Sequence, residues 1–329
     1  MIISVLKNHA GFYSELFFLL NHYMHIKKIN SSFKILSHQW LFKYKLGWED
    51  YFKNIDIIGE DKNEYLKYGE EWYNSLSAED KHKYTYDTTQ TIRTFTHLFA
   101  IGHFTMYDYK NAIKEIYVYN DKIREIINNV KKYLSLKNYD GIFIRRGDKL
   151  ISRESNFINS EKFVELLLVK NPQCKTIFLQ TDDYNSYLEI QKYIEQKKLQ
   201  IDVITLCDEN TKGGMIIFNY NQEKLSNEKN NNDTNPSRDY IIQSIDTLYK
   251  YKPVNTMTND EIYLHVMDML IGIDIILESN FVVCDFSSNV SRFIKLAHKN
   301  SENVFDILNP DKDIDWDCVI CPGYSFYYK

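Results

Sequence analysis

Three stretches in the second half of the chain share one design, and it restricts the fold more than any other feature. Each is a short apolar run that ends abruptly in polar or charged residues: GIFIRRGDKL at 141–150, TIFLQTDD at 176–183 and CDFSSNVSRF at 284–293. Helically spaced segments follow them, SEKFVELLLV (160–169), YNSYLEIQKYIEQ (184–196) and NVSRFIKLAHK (289–299). An apolar run without polar alternation reads as a strand buried on both faces. Strands separated by helices lie parallel, because the crossover helix returns the chain to the starting end of the sheet. IDVITL, EIYLHVMDMLIGIDIILES and VFDIL (304–308) continue the alternation. The second half is therefore predicted to be a doubly wound α/β domain.

The first forty residues repeat the theme: MIISVL as a strand, KNHAG as a loop, GFYSELFFLLNHYMHI as an amphipathic helix and FKILS as a returning strand. Residues 50–135 are predicted to be mostly helical and to complete the first domain. A chain of 329 residues accommodates about two domains of ordinary size. The division is expected near residue 136, with an N-terminal α/β domain over 1–136 and a second over 137–329. Residues 219–259, including LSNEKNNNDTNPSRD, read as a surface excursion, because they are rich in asparagine and weakly apolar.

In a parallel sheet the carboxyl ends of the strands face the ligand crevice. Arg145 and Arg146 are adjacent, so their side chains leave on opposite faces. One can reach a ligand, and the other is expected to pair with a carboxylate or brace a loop. A buried arginine is costly unless paired, so burial here implies anionic partners; a charge-assisted hydrogen bond is worth about 1.5–3 kcal/mol. A solvated strand end is the plainer alternative. An adhesion-like Arg-Gly-Asp tripeptide is disfavoured, since the tripeptide leaves a buried strand instead of crowning an exposed loop. Thr181, Asp182 and Asp183 end the second strand, where either aspartate could cap the next helix, take a sugar hydroxyl or pair with an arginine. Ser287, Ser288 and Asn289 lead into a helix whose free amides, flanked by hydroxyls, suit a phosphate. Ser160 is the expected N-cap of the helix after the first strand.

Other functional classes are disfavoured by what the chain carries. The net charge is −5, so there is no global basic field for nucleic acid or an anionic membrane, and any anion must be held locally. Neither GxGxxG nor GxxxxGK[ST] occurs, which argues against NAD enzymes and P-loop NTPases. The five cysteines are scattered and suggest no disulfide framework, so a reducing, cytoplasmic setting is expected. Cys318 and Cys321 form a lone CxxC better read as packing than as zinc ligands, and PDKDIDWDC (310–318) lacks the glycine and terminal glutamate of a calcium loop. No bound metal is expected. The early apolar stretch is interrupted by Glu15, Asn21 and two histidines, too polar for a membrane span, and no signal-peptide cleavage site precedes it. Tyrosine and phenylalanine are abundant, and we ascribe this to a broad compositional drift rather than to sugar stacking.

Taken in order, FIRRGDK, TDD at 181–183 and CDFSSNVSR resemble the motifs of the α1,6-fucosyltransferases that act on N-glycan cores and of their rhizobial relatives that fucosylate chitin oligosaccharides. GFYSELFFLL and WLFKYKLGWEDYF (40–52) resemble the family's helix start and its Trp…Gly-Trp-Glu…Phe stretch, so the resemblance touches both halves. It implies a glycosyltransferase-B-like fold of two Rossmann-like domains facing a cleft. It further implies GDP-fucose as donor, a glycan hydroxyl as acceptor, inversion at the anomeric carbon and no essential metal or other cofactor. By position, Arg145 would bind the diphosphate with Arg146 in support, and Ser288 and Asn289 would complete the phosphate contact. Lys149 matches the motif lysine. Glu154 corresponds to the catalytic carboxylate, with Asp148 the next candidate. The family's nucleotide-contacting aspartate matches Asp274 or Asp268. Phe143 stands where the family opens its motif with histidine, so base or ribose recognition must differ there. Two other readings keep the fold: a glycosyltransferase using another nucleotide sugar, and a glycan-binding relative without catalysis.

Overall fold

The computed structural model describes residues 2–6, 11–28, 33–55, 70–77, 85–87, 104–146, 157–209 and 256–311. The chain divides into two compact units, with the division between Asn128 and Asn129.

In the first unit, β1 (Ile2–Val5), α1 (Phe12–Lys28) and β2 (Phe33–Leu36) form a strand–helix–strand unit in which β1 and β2 are parallel. A third strand, β3 (Thr85–Asp87), pairs with β1 on its other side, also in parallel, in the order β2-β1-β3. The described part of 50–135 carries α2 (Glu70–Ser75), α3 (Met106–Ile116) and α4 (Asp121–Leu134), the last crossing into the second unit, and β3 is the strand that the expectation of mostly helix did not include. Three residues are too few to register a period, so only the bonds to β1 mark β3 as a strand.

Helix α1 buries Phe12, Tyr13, Leu16, Leu19, Leu20 and Tyr23, an apolar stripe at helical spacing. Phe12 packs on Trp40, Phe42, Tyr51 and Phe52, while Trp48, Phe52 and Tyr119 stack in series. Buried phenols find partners: the Tyr13 and Tyr117 hydroxyls are 2.9 Å apart, and Tyr51 donates to the Phe42 carbonyl at 2.8 Å. The loop over 44–47 closes on one carboxylate, since Asp50 accepts from the backbone N–H groups of Tyr44, Lys45, Leu46 and Gly47 at 2.8–3.1 Å. Gly47 has φ +93°, and a Cβ there would collide with Ser37, whose hydroxyl accepts from Trp48 N–H.

The second unit is a five-stranded, wholly parallel sheet. Its strands are β4 (Asp140–Ile144), β5 (Thr176–Thr181), β6 (Asp202–Thr205), β7 (Val282–Cys284) and β8 (Val304–Asp306), in the order β6-β5-β4-β7-β8. Helices α5 (Ser160–Lys170), α6 (Tyr184–Lys197), α7 (Asn259–Leu277) and α8 (Asn289–Ala297) make the crossovers. The mixed α/β class with parallel sheets is thus shown. Ile142, Ile144, Ile177, Leu179 and Val283 share one face of the sheet and pack on Phe163, Val164 and Leu167 of α5 and Ile190 and Ile194 of α6. The alternate positions include Phe143, Phe178 and Gln180; Gly272 of α7 lies so close to the Gln180 amide that any Cβ would collide with it. Among the described residues no helix is long and apolar enough to cross a membrane.

This strand order reverses direction between β4 and β7. In sheets of this kind the crevice for a ligand opens at that reversal, outside the carboxyl ends of the strands. Both flanking strands end in the segments singled out in the sequence.

Candidate functional site

The site is the carboxyl edge of the second sheet, where register aligns the three polar strand ends. Ile144 lies opposite Thr181, and Phe143 opposite both Gln180 and Cys284, so the segments after β4, β5 and β7 emerge side by side. At ordinary strand spacing the three ends span about 10 Å.

Arg146 continues the face of β4 that carries Ile142 and Ile144, and it is only 2% exposed. Its guanidinium is held on several sides by protein groups. Glu189 of α6 takes both terminal nitrogens, Nη1 to Oε1 at 3.1 Å and Nη2 to Oε2 at 2.7 Å. The Ser160 hydroxyl accepts from Nη2 at 2.9 Å and donates to Glu189 Oε2 at 2.7 Å. Asp183 lies 3.5 Å from Nη1, and the Phe157 ring covers the guanidinium at 4.5 Å. A charge buried this deeply is stable only with such partners. The main chain is pinned too, because Arg146 N–H donates to Asp182 Oδ1 at 2.8 Å.

These contacts explain the titration of the two carboxylates. Burial pushes Glu189 up, but the hydrogen bonds and charge of Arg146 and the Ser160 hydroxyl more than reverse it and leave it below the ordinary range. Burial raises Asp183 above its ordinary value despite Arg146, with Glu189 adding to the rise. Glu189 thus holds the stronger claim on the arginine.

The sequence-derived candidates divide by place. Arg145 follows the opposite face from Arg146 and is half-buried. Thr181 is buried, and its hydroxyl accepts from Asp183 N–H at 3.1 Å. Asp183 caps α6 through Asn185 N–H at 3.0 Å. Ser160 is not the N-cap of α5: Asn159 holds that position, without a side-chain bond, and Ser160 is drawn inward by Arg146 and Glu189. After β7, Ser287 donates from its hydroxyl to Asp285 at 2.6 Å, Ser288 caps α8 through Val290 N–H, and Asn289 accepts from Arg292 Nη1 at 3.0 Å. Each of these side chains organises the turn.

Asp274 is not brought to this edge. It lies near the end of α7, ion-paired with Lys131, next to Ile275, whose carbonyl accepts from Tyr139 just before β4 begins. That is the amino edge of the sheet. Asp268, two turns earlier, is within electrostatic reach of Asp208, three residues past the carboxyl end of β6. Asp148, Lys149 and Glu154 lie outside the described residues, as do Cys318 and Cys321. Among the described residues no cluster of His, Cys, Asp and Glu has the geometry to hold a metal ion.

Glu189, Asp306 and Arg292 are the residues that sequence reasoning did not single out. Glu189 occurs among the ordinary charged positions of a helix, and Asp306 in a strand without a motif. Arg292 ends the quoted CDFSSNVSR segment, which is the one local signal among them.

No protein-family model matches the chain, and no curated protein matches it in sequence. Among solved structures, it is similar to the NodZ alpha-1,6-fucosyltransferase soaked with GDP-fucose, with TM-score 0.51 and 12% identity over 94% of this chain and 97% of that one. The fucosyltransferase NodZ from Bradyrhizobium gives TM-score 0.49 at 12% identity, over 94% and 96% of the two chains. At this identity the likeness is one of fold, and it rests on the first comparison.

Proposed function

We propose that the chain is a glycosyltransferase that moves fucose from GDP-fucose to a hydroxyl of a glycan acceptor, with inversion and without a metal ion. The observation that carries this reading is the likeness of fold, over nearly the full length of both chains, to a fucosyltransferase soaked with GDP-fucose. The arginine pair beside the strand-order reversal supports it. In this reading the two units are Rossmann-like domains facing a cleft in the glycosyltransferase-B manner, the first toward the acceptor and the second, from about residue 137, toward the donor.

Arg145 contacts the diphosphate, and Arg146 supports it from the other face through its contacts with Glu189 and Asp182. Ser287, Ser288 and Asn289 present the start of α8 to the second phosphate. Thr181, Asp182 and Asp183 hold the neighbouring strand end. Of the two aspartates on α7, Asp268 is better placed for the nucleotide than Asp274, which is committed to Lys131 at the far edge.

Glu154 takes the proton of the acceptor hydroxyl, whose oxygen attacks the anomeric carbon as the bond to GDP breaks. Arg145 offsets the charge that grows on the departing diphosphate, and Lys149 tunes the base. If Glu154 is not the base, Asp148 is the next residue to test.

A second reading, another nucleotide sugar as donor, draws on Phe143. This side chain is 6% exposed within β4 and offers no hydrogen bond where the fucosyltransferases carry histidine. An assay of GDP-fucose against an acceptor array tests the proposal, with Arg145→Ala expected to abolish donor use and Glu154→Gln to spare GDP binding while removing transfer. Near-normal turnover by Arg145→Ala would sink it.

A further inference from the structure

The turn after β7 is held at both backbone groups of one residue, Phe286, and the residues that hold it come from different elements. Phe286 N–H donates to Asp306 Oδ1 at 3.1 Å, and its carbonyl accepts from Arg292 Nε at 2.8 Å. Asp306 ends β8 directly opposite Cys284, the last residue of β7, and Ile307 N–H returns to the Cys284 carbonyl at 2.9 Å. Arg292 lies in the first turn of α8 and also donates to Asn289 Oδ1 at 3.0 Å. An anion therefore grips the peptide before Phe286 and a cation the peptide after it, which fixes the backbone torsions of the residue before Ser287. Bonds to charged partners are about twice as strong as neutral ones, and a residue tied on both sides of its Cα cannot change φ or ψ without straining one of them.

This corner holds charges of both signs. Arg292 is within electrostatic reach of Asp285 and Asp306, and the nearby Lys295 ammonium is buried and donates to the Val304 carbonyl at 3.2 Å. Two carboxylates beside an anion site would otherwise repel the ligand, and the charge of Arg292 offsets part of that cost.

We infer that Asp306 and Arg292 are positioning residues for the donor site: together they fix the backbone of Phe286 and hence the placement of the Ser288 hydroxyl and the first turn of α8 beside a nucleotide diphosphate. This rests on the proposed donor reading. GDP affinity is measured by calorimetry, KM and kcat for GDP-fucose by a transfer or hydrolysis assay, and thermal stability alongside. Asp306→Ala and Arg292→Lys are each expected to weaken GDP binding and raise KM about tenfold, the loss of one such bond, with kcat changed far less and, for Arg292→Lys, the unfolding temperature close to that of the unchanged protein. Asp306→Asn, which keeps an oxygen for the Phe286 N–H, should recover most of the affinity lost in Asp306→Ala.

Arg292→Lys keeps the positive charge and most of the volume, so it reads the geometry even if Asp306→Ala does not fold. Unaltered GDP affinity in Arg292→Lys, or in a folded Asp306→Ala, overturns the inference. So does a loss that merely tracks lowered stability and is shared by Asp306→Asn. The unchanged protein is titrated first, because failure of GDP to bind it overturns the donor reading itself, and the role of the turn with it.

Discussion

Arg146 shows how a charge at a strand end can be spent wholly inside the protein. The guanidinium is 2% exposed and its main partner Glu189 is 39% exposed. Removing one partner of a fully buried pair costs about 3–5 kcal/mol. Water can reach Glu189 from one side, and Asp183 and Ser160 remain, so Glu189→Ala is expected to cost less, about 1–3 kcal/mol, as a lower urea midpoint at unchanged slope. Glu189→Gln keeps one acceptor and should lose less than half as much. A loss under about 0.5 kcal/mol for the alanine variant would mean that Asp183 alone suffices to hold the arginine. Strand alternation makes it legible that neighbouring arginines part to opposite faces. The identity of the partner is not legible, because Glu189 is 43 residues away and contact depends on how α6 packs.

Among the elements, the junction of α7 and α8 carries a titratable contact. His298 follows α8 and is buried, its ring nitrogens 2.7 Å from the Asn300 carbonyl and 3.0 Å from the Ser279 carbonyl. Burial lowers its pKa and outweighs these carbonyls, and the charges of Lys299 and Lys295 lower it further. The folded protein therefore binds this proton less readily than the unfolded chain, whose histidine titrates near 6.5. Its contribution is fully present above about pH 6.5 and is lost as pH falls from there to the folded value. The stability of the unchanged protein relative to His298→Gln should accordingly decline between about pH 7 and pH 5 in urea titrations. Taking the difference removes the opposite trend from Asp183 and Asp285, whose carboxyls are raised by burial. A pH-independent difference would show that the ring is not the titrating group. The long elements of the second unit could be read from their periods, whereas β3 could not, since only its pairing with β1 makes Thr85–Asp87 a strand.

For the whole molecule, the donor reading has a thermodynamic consequence that needs no acceptor. A ligand that binds only the folded chain stabilises it by about 2.7 kcal/mol at one hundred times its Kd. GDP at that excess should raise the unfolding temperature, and UDP and ADP at equal concentration should raise it less. A larger shift with UDP or ADP would favour the second donor reading, and no shift with any would remove the nucleotide from the account. The sequence by itself determined the α/β class, the parallel sense of the strands and the three polar strand ends, because hydrophobic period and strand-to-helix alternation are local properties of the chain. Only the tertiary structure decided that β4 lies between β5 and β7, that Arg146 belongs to Glu189, that Asp306 reaches the Phe286 peptide and that Asp274 turns to Lys131 at the far edge. The physical reason is common to all four. Strand order and charge pairing are settled by which groups packing brings within a few ångströms, and a buried charge takes whichever opposite charge the fold places there.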